Sequence, residues 1–386
     1  MIYLDNSATT KPDELVLRVM QRCYTEVWGN PSSPHRMGVD AEKMLRTARK
    51  QVAGSMGAAA EEIIFTSGGT EANNLALKGL LARWPQAKKP AQIVISSVEH
   101  PSVIEPARQL EAEGWRLAFV PVDRNGRILL DELDQLLRHR TALVSLMMVN
   151  NEVGTIQPIR QAAELILERQ PEAWLHVDAV QAYGKIPLDV RQLGVDSLTV
   201  SGHKVHAPKG VGALYVREGL AVQELIAGGG QESGRRSGTE NVAGAAGLGQ
   251  AAVWIEEHVQ NDGEQMWMLR KSLWEGIREA IPQAVLNGDD SRERAAPHIL
   301  NCSFPGVPGE VMVHALEMRG IYASMASACS TKKSSRSHVL TAMYGREHPN
   351  IDSAVRFSLS RFTTREEISQ AVIGIREAYR ELTNLR

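Results

Sequence analysis

A serine, a histidine and a lysine stand together in Ser201-Gly202-His203-Lys204, and Asp178 closes a short apolar run upstream. Residues 197–200 (Ser-Leu-Thr-Val) predict a buried strand that breaks at Gly202. Leu175-His176-Val177 predicts another, with Asp178 at its carboxyl edge. In an open α/β sheet, ligands sit outside the carboxyl ends of the strands, so an acid and an amine delivered by two such ends suggest one site. Pyridoxal phosphate needs this pair. Its aldehyde condenses with a lysine amine, and its ring nitrogen stays protonated beside a carboxylate. Ser201 and His203 then suit the phosphate. Taken singly, Lys204 also reads as a solvated lysine and Asp178 as a turn residue; the other strand ends decide.

Glu62-Ile63-Ile64-Phe65-Thr66 predicts a strand, followed by Ser67-Gly68-Gly69-Thr70 and a helix from about Glu71 that carries Leu75, Leu77 and Leu80. A helix start after a glycine turn offers an anion free N–H groups and the positive end of the helix dipole, and Thr70 adds a hydroxyl. A simple capping turn is the alternative. No Walker lysine follows the glycines and no GxGxxG is present, so neither a P-loop nor a dinucleotide site is supported. The strand 92–96 delivers Glu99-His100, a histidine able to stack on a flat ring and to act as acid or base. The apolar run 142–149, as expected for a central parallel strand, ends in Asn150-Asn151-Glu152. Gln181 lies a short step beyond Asp178. Five strand ends thus carry Gly69 and Thr70, His100, Asn151, Asp178 and Gln181, and Ser201, His203 and Lys204, all on one edge of a βα series.

The elements that must position these residues are those of an α/β chain. The 386 residues, 43% hydrophobic with net charge −2, suit an ordinary globular protein long enough for two domains. The near-neutral balance gives no electrostatic reason for direct nucleic-acid or membrane binding, and no apolar run is long enough for a membrane span. The N-terminus lacks a basic region and a long apolar core, so no secretory signal is expected. Cys23, Cys302 and Cys329 are widely spaced, which suits a reducing cytosol and makes no zinc pattern. No metal site is expected.

Pro12-Asp13 predicts a helix start, with Leu15, Val16, Val19, Met20 and Cys23 on a buried face. Gly29-Asn30-Pro31-Ser32-Ser33-Pro34-His35 is a loop of fixed irregular shape. Residues 228–241 are too glycine-rich for a regular element, and their paired Arg235-Arg236 could approach an anion, or the stretch could be disordered. A helix 242–258 precedes a boundary near Asn261-Asp262-Gly263. After it, helix 264–280, strand 298–304, helix 309–319, strand 354–359 and helix 365–382 read as a smaller α+β domain. Alternation in the last strand puts Val355, Phe357 and Leu359 on one face and Arg356 and Ser358 on the other. Arg356 could there meet a substrate carboxylate, or be solvated. Cys302 reads as core. Cys329, among small polar residues near Lys332 and Lys333, has the setting of an ionisable nucleophile.

Taken together these stretches resemble the pyridoxal-phosphate-dependent cysteine desulfurases of the NifS/IscS type, within the class V, fold-type I aminotransferases. The carriers run nearly end to end: Leu4-Asp5-Asn6-Ser7-Ala8-Thr9-Thr10, Gly29-Asn30-Pro31-Ser32-Ser33, Phe65-Thr66-Ser67-Gly68-Gly69-Thr70-Glu71, Asn150-Asn151-Glu152-Val153-Gly154, His176-Val177-Asp178-Ala179, Ser201-Gly202-His203-Lys204, Arg236-Ser237-Gly238-Thr239, Ser327-Ala328-Cys329 and Arg356-Phe357-Ser358. The resemblance implies a large domain (15–260) with a mostly parallel seven-stranded sheet, and a small domain (1–14 and 261–386) carrying Cys329 and Arg356. It implies that Lys204 holds the cofactor and moves the proton, that Asp178 pairs with the ring nitrogen, that Gln181 bonds the ring hydroxyl and that His100 stacks on the ring. Gly69, Thr70, Ser201 and His203 are implied to hold the phosphate, with Thr239 reaching the site of a second subunit in a homodimer. Asn30, Asn151 and Arg356 are implied to hold L-cysteine, with Asn151 also at the cofactor. Cys329 then takes the sulfur, leaving L-alanine and a persulfide for an acceptor protein serving tRNA thiolation, thiamine or iron–sulfur biosynthesis. A cytoplasmic location is expected.

One departure stands out. The family's usual Ser-Ser-Gly-Ser-Ala-Cys is here Ser324-Met325-Ala326-Ser327-Ala328-Cys329, and Lys332-Lys333 replace neutral residues. That suggests a specialised donor, for example to a tRNA-thiolation enzyme, instead of a general iron–sulfur scaffold donor. The competing expectations are a selenocysteine lyase or other aminotransferase, indifferent to Cys329, and a non-enzymatic scaffold without the yellow cofactor.

Overall fold

The computed structural model describes residues 1–84, 91–325 and 336–384. In chain order its strands are β1 (Ile2–Tyr3), β2 (Ile63–Thr66), β3 (Gln92–Ser96), β4 (Arg116–Val120), β5 (Thr141–Met147), β6 (Trp174–Asp178), β7 (Ser197–Ser201), β8 (Gly212–Val216), β9 (Val285–Asn287), β10 (Ile299–Ser303), β11 (Ile321–Tyr322), β12 (Ser324–Met325) and β13 (Ala354–Ser358). A seven-stranded sheet has the order β2-β8-β7-β6-β5-β3-β4. Only β8 runs against its neighbours; the remaining pairs are parallel. Two reversals at β8 leave β2 parallel to β7. The carboxyl ends of β2, β3, β5, β6 and β7 therefore share one edge, as the sequence predicts. β5, apolar nearly throughout, is buried along its whole length, which a parallel sheet covered on both faces requires.

A second sheet, β12-β13-β10-β9, is antiparallel throughout. Val355, Phe357 and Leu359 pack in a separate apolar cluster with Leu4, Leu300, Cys302 and Phe304. Arg356 and Ser358 take the opposite face, as their alternation predicts. The first residues join this region, because β1 pairs in parallel with β11 and Asp5 bridges to Ser358.

The expected break at Asn261-Asp262-Gly263 is corrected: one helix runs from Val242 to Ala280. Asp262 Oδ2 accepts the Trp254 indole N–H at 2.8 Å, so its carboxylate is engaged inside the helix instead of capping a turn. At Gly263 a Cβ would come within 3.1 Å of the Lys185 carbonyl. This glycine answers a close approach rather than a turn, a case of tertiary context overriding local propensity. The same logic explains the small residues of the helix's first half. A Cβ at Gly249 would lie 2.8 Å from Ala48 Cα, on the helix Arg36–Gly54 packed against it.

Two further expectations change. Leu15 is 46% exposed on its helix, whereas Val16 and Cys23 are buried. The glycine-rich 228–241 stretch is tied down at Glu232, whose carboxylate receives both Arg49 Nη1 and Nη2 at 2.6 Å and the Phe65 N–H at 3.0 Å. The helix His338–Tyr344 has no counterpart in the sequence reading.

Candidate active site

The five strand ends ring a cavity of about 300 Å³. Gly69, Thr70, His100, Asn151, Asp178, Gln181, Ser201, His203, Lys204 and Arg356 all line it. Ten expected residues, scattered over nearly 290 positions, thus converge because β-strand carboxyl ends and one residue of β13 meet there. Ser7, Ala8, Asn73, Ser102, Met147 and Val180 complete the wall and were not anticipated.

The chain leaves β7 in a tight turn, Gly202–Lys204, which carries the lysine into the cavity. Lys204 Nζ donates to the carbonyls of Ser7 at 2.5 Å and Ala8 at 2.8 Å. Asp178, at the end of β6, accepts from Asn73 Nδ2 at 2.9 Å and from the Val180 N–H at 2.9 Å. Gln181 Nε2 donates to the Ser7 carbonyl at 3.0 Å. His100 caps the helix Pro101–Ala112: its Nδ1 lies 3.1 Å from the Ser102 N–H and 2.8 Å from Ser102 Oγ. Burial lowers its pKa, with Asp178 opposing and Lys204 and His338 adding to the drop. His203 falls to about 4, chiefly through burial and then the charges of Lys204 and Lys209. Both histidines are therefore neutral at physiological pH.

Arg356 is 3% exposed, which disposes of the solvated alternative. Its Nη1 donates to the Asn151 carbonyl at 2.8 Å and its Nη2 to Asp5 Oδ1 at 3.0 Å, while Nε is buried without a partner. Two acids stand just behind the site. Glu99 is fully buried; burial, with the Asp178 charge added, pushes its pKa up to about 8 despite bonds from Ser96 Oγ at 2.6 Å and the Met147 N–H at 2.7 Å. Glu152 is raised to about 7 by burial and accepts a short hydrogen bond from Ser337 Oγ. The sequence signal for both is an acid immediately beside a site residue, His100 or Asn151.

Two expected residues are placed elsewhere. Asn30 is exposed, and its side chain accepts the Ser32 N–H at 2.9 Å within its own loop; it does not line the cavity. Thr239 is exposed too. It borders a different pocket of about 250 Å³ with Ser67, Arg236 and Gly238. Cys329 lies outside the described residues. On its N-terminal side Ser324 pairs with Arg356 across β12 and β13. On its C-terminal side Ser337 caps the helix His338–Tyr344.

The cavity fits pyridoxal phosphate on three counts. The helix starting at Gly69 has no side-chain cap, which leaves its first N–H groups for a phosphate. At Gly69 a Cβ would come within 2.9 Å of Val180 Cγ2, so only glycine lets this helix start sit so close to β6. The wall also offers a carboxylate (Asp178), a primary amine (Lys204) and two buried donors without partners, Ser7 Oγ and Arg356 Nε. Among the described residues no group of three or more His, Cys, Asp or Glu side chains could hold a metal ion.

The Aminotransferase class-V family pattern matches residues 2–371. A cysteine desulfurase of Nostoc sp. is 43% identical over 96% of this chain and 91% of its own length. Cysteine desulfurase IscS of Methanosarcina thermophila is 40% identical over 100% of this chain and 93% of its own. A solved NifS-like protein superposes with a TM-score of 0.90 and 38% identity, covering 97% of this chain and 98% of the other.

Proposed function

Because the chain belongs to the class-V aminotransferase family, and is within it a pyridoxal-phosphate-dependent cysteine desulfurase acting on L-cysteine, we propose the following division of labour among its residues. Pyridoxal phosphate, when bound, supplies an electron sink at the substrate's Cα. Lys204 holds the cofactor's aldehyde carbon and moves the Cα proton. Its Nζ is aimed by the Ser7 and Ala8 carbonyls, which accept from it and carry no competing charge. Asp178 holds the ring nitrogen's proton, its own oxygens steadied by Asn73 and Val180. Gln181 bonds the ring hydroxyl and His100 covers the ring. Gly69, Thr70, Ser201 and His203 take the phosphate.

Arg356 and Asn151 receive the substrate carboxylate. The open Nε of Arg356 is the donor still available, and Asp5 holds the other end of the guanidinium in orientation. Asn30 keeps a place in substrate binding only through a change of its loop. Cys329 takes the substrate sulfur and stores it as a persulfide while L-alanine leaves. The convergence of Lys204, Asp178 and Arg356 on one cavity is the observation that carries this reading.

The assembly and the acceptor follow from the same reading. A homodimer explains why Thr239 lies away from this cavity: it serves the partner's phosphate. Residues 15–260 form the large domain, and 1–14 with 261–386 the small one. Among the described residues no helix is long and apolar enough to cross a membrane, consistent with a cytoplasmic enzyme. The replaced glycine and the two lysines near Cys329 favour a dedicated acceptor of the tRNA-thiolation kind over a general iron–sulfur scaffold. The test is peptide mass spectrometry after exposure to L-cysteine without reductant. The peptide containing Cys329 is expected to gain the mass of one sulfur atom, and to lose it to a tRNA-thiolation acceptor faster than to a scaffold. Added sulfur on Cys23 or Cys302 instead, or equal transfer to both acceptors, overturns the corresponding assignment.

A further inference from the structure

Asn73, which steadies Asp178, also reaches Ser102 in the cavity wall and His176 behind it. It lies on the helix Gly69–Asn74, four residues beyond Gly69 and so on the same face. It is fully buried and lines the cavity. Its Nδ2 donates to Asp178 Oδ2 at 2.9 Å and to Ser102 Oγ at 2.8 Å, and its Oδ1 lies 3.1 Å from His176 Nε2.

The amide can face only one way. Turned over, its oxygen would confront the Asp178 carboxylate, acceptor against acceptor. Its Oδ1 therefore accepts from His176, which carries its proton on Nε2 and accepts a hydrogen bond from the Ser197 hydroxyl at Nδ1, 2.9 Å away. Ser102 Oγ accepts from Asn73 on one lone pair and turns its own proton to His100 Nδ1, because the Ser102 backbone N–H already makes that nitrogen an acceptor. The Ser102 N–H reaches the same nitrogen. Two donors on Nδ1 leave neutral His100 with its proton on Nε2.

We propose that Asn73 is a positioning residue for the desulfurase reaction: it fixes the Asp178 carboxylate from behind and, through Ser102, keeps the His100 proton on Nε2. His100 then offers its surroundings a hydrogen-bond donor. It accepts a proton only at Nδ1, at the expense of both bonds from Ser102. This inference rests on the reading of Asp178 as the ring-nitrogen partner.

The test uses the holoenzyme with Asn73→Asp, which keeps the shape but removes both N–H donors and sets an oxygen against Asp178. Should that variant fail to fold, Asn73→Ser, which keeps one donor, replaces it. Cofactor affinity is expected to fall about tenfold or more, the usual consequence of losing a hydrogen bond to a charged group. The pH midpoint of the cofactor's absorbance is expected to move. kcat should fall similarly, with KM for L-cysteine within about twofold. Side-chain ¹⁵N NMR, with the His100→Asn variant to assign the signal, should show His100 protonated on Nε2.

Asp178→Asn separates the two levels of the argument. If it loses the cofactor while Asn73→Asp retains wild-type affinity, absorbance and kcat, Asn73 is mere packing and the inference falls alone. If Asp178→Asn itself binds the cofactor like wild type, the role of Asp178 falls and this inference with it. A proton on His100 Nδ1 overturns the tautomer assignment directly.

Discussion

Replacing Gly69 by alanine should loosen the cofactor while leaving the protein folded. A Cβ at this position would lie 2.9 Å from Val180 Cγ2, 3.5 Å from Ser201 Cβ and 3.7 Å from Thr199 Cγ2. Ordinary contact begins near 3.4 Å, so something must yield by 3.4 − 2.9 = 0.5 Å. Val180 is anchored at its backbone by the N–H bond to Asp178 Oδ1, and its β-branched side chain has few rotamers into which to yield. The start of the helix must then move away from Val180, taking with it the N–H groups that would meet the phosphate. Displaced donors would cost the fold little but would meet the phosphate less well, so the loss falls mainly on the bound state. Overpacking of this kind costs about 1–3 kcal/mol, which corresponds to a cofactor dissociation constant raised about 5- to 150-fold. The assay strips the cofactor and titrates pyridoxal phosphate back against absorbance. Gly54→Ala is the control. Its Cβ would meet only the Glu256 carboxylate, no nearer than 3.5 Å, and its affinity should equal wild type. A Gly69→Ala protein that binds the cofactor within twofold of wild type would refute the idea that close approach at Gly69 shapes the phosphate end of the site.

Glu99 makes stability pH-dependent in a defined direction. Its folded pKa of about 8 lies above the unfolded carboxylate value of about 4.3. Between these values the folded state binds a proton that the unfolded state has lost, so this group's contribution to stability declines as pH rises from about 4.3 to 8. The melting temperature of Glu99→Gln relative to wild type should therefore climb between pH 5 and pH 8, and a flat difference would contradict the assignment. Arg356→Lys keeps the charge but loses the fork that reaches both Asn151 and Asp5. KM for L-cysteine should rise about tenfold or more, with cofactor affinity nearly unchanged; steady-state kinetics and cofactor titration check both halves. Ser337→Ala removes the cap on Leu340 and the partner of Glu152. It should cost about 1 kcal/mol in chemical denaturation.

The site was more legible than the architecture around it. Strand ends announce themselves, because an apolar run gives way abruptly to polar residues. Five such transitions located Gly69, His100, Asn151, Asp178 and Lys204 before their order in the sheet was known. Arg356 emerged from the period-two pattern of β13. Residues acting from behind were not legible. Asn73, Ser102 and Glu99 lie in helix starts or turns where a polar residue is ordinary, and only their burial shows that they are used. The long helix Val242–Ala280 was misread for the opposite reason. Asn261-Asp262-Gly263 is a strong local turn signal, but the partners that overrule it, Trp254 eight residues earlier and the Lys185 carbonyl, are set by tertiary packing. The antiparallel direction of β8 is not legible either, because buried strands of either sense read as the same apolar run.

Cys329 carries the central claim, and product release from L-cysteine tests it most directly. Sulfide and alanine should be measured in the presence of a reductant, with wild type beside Cys329→Ala. Equal amounts of both products from wild type, and neither from a Cys329→Ala protein that is still yellow with cofactor, is the expected result. Alanine or pyruvate without sulfide, or a variant as active as wild type, would contradict the assignment of the sulfur-accepting thiol.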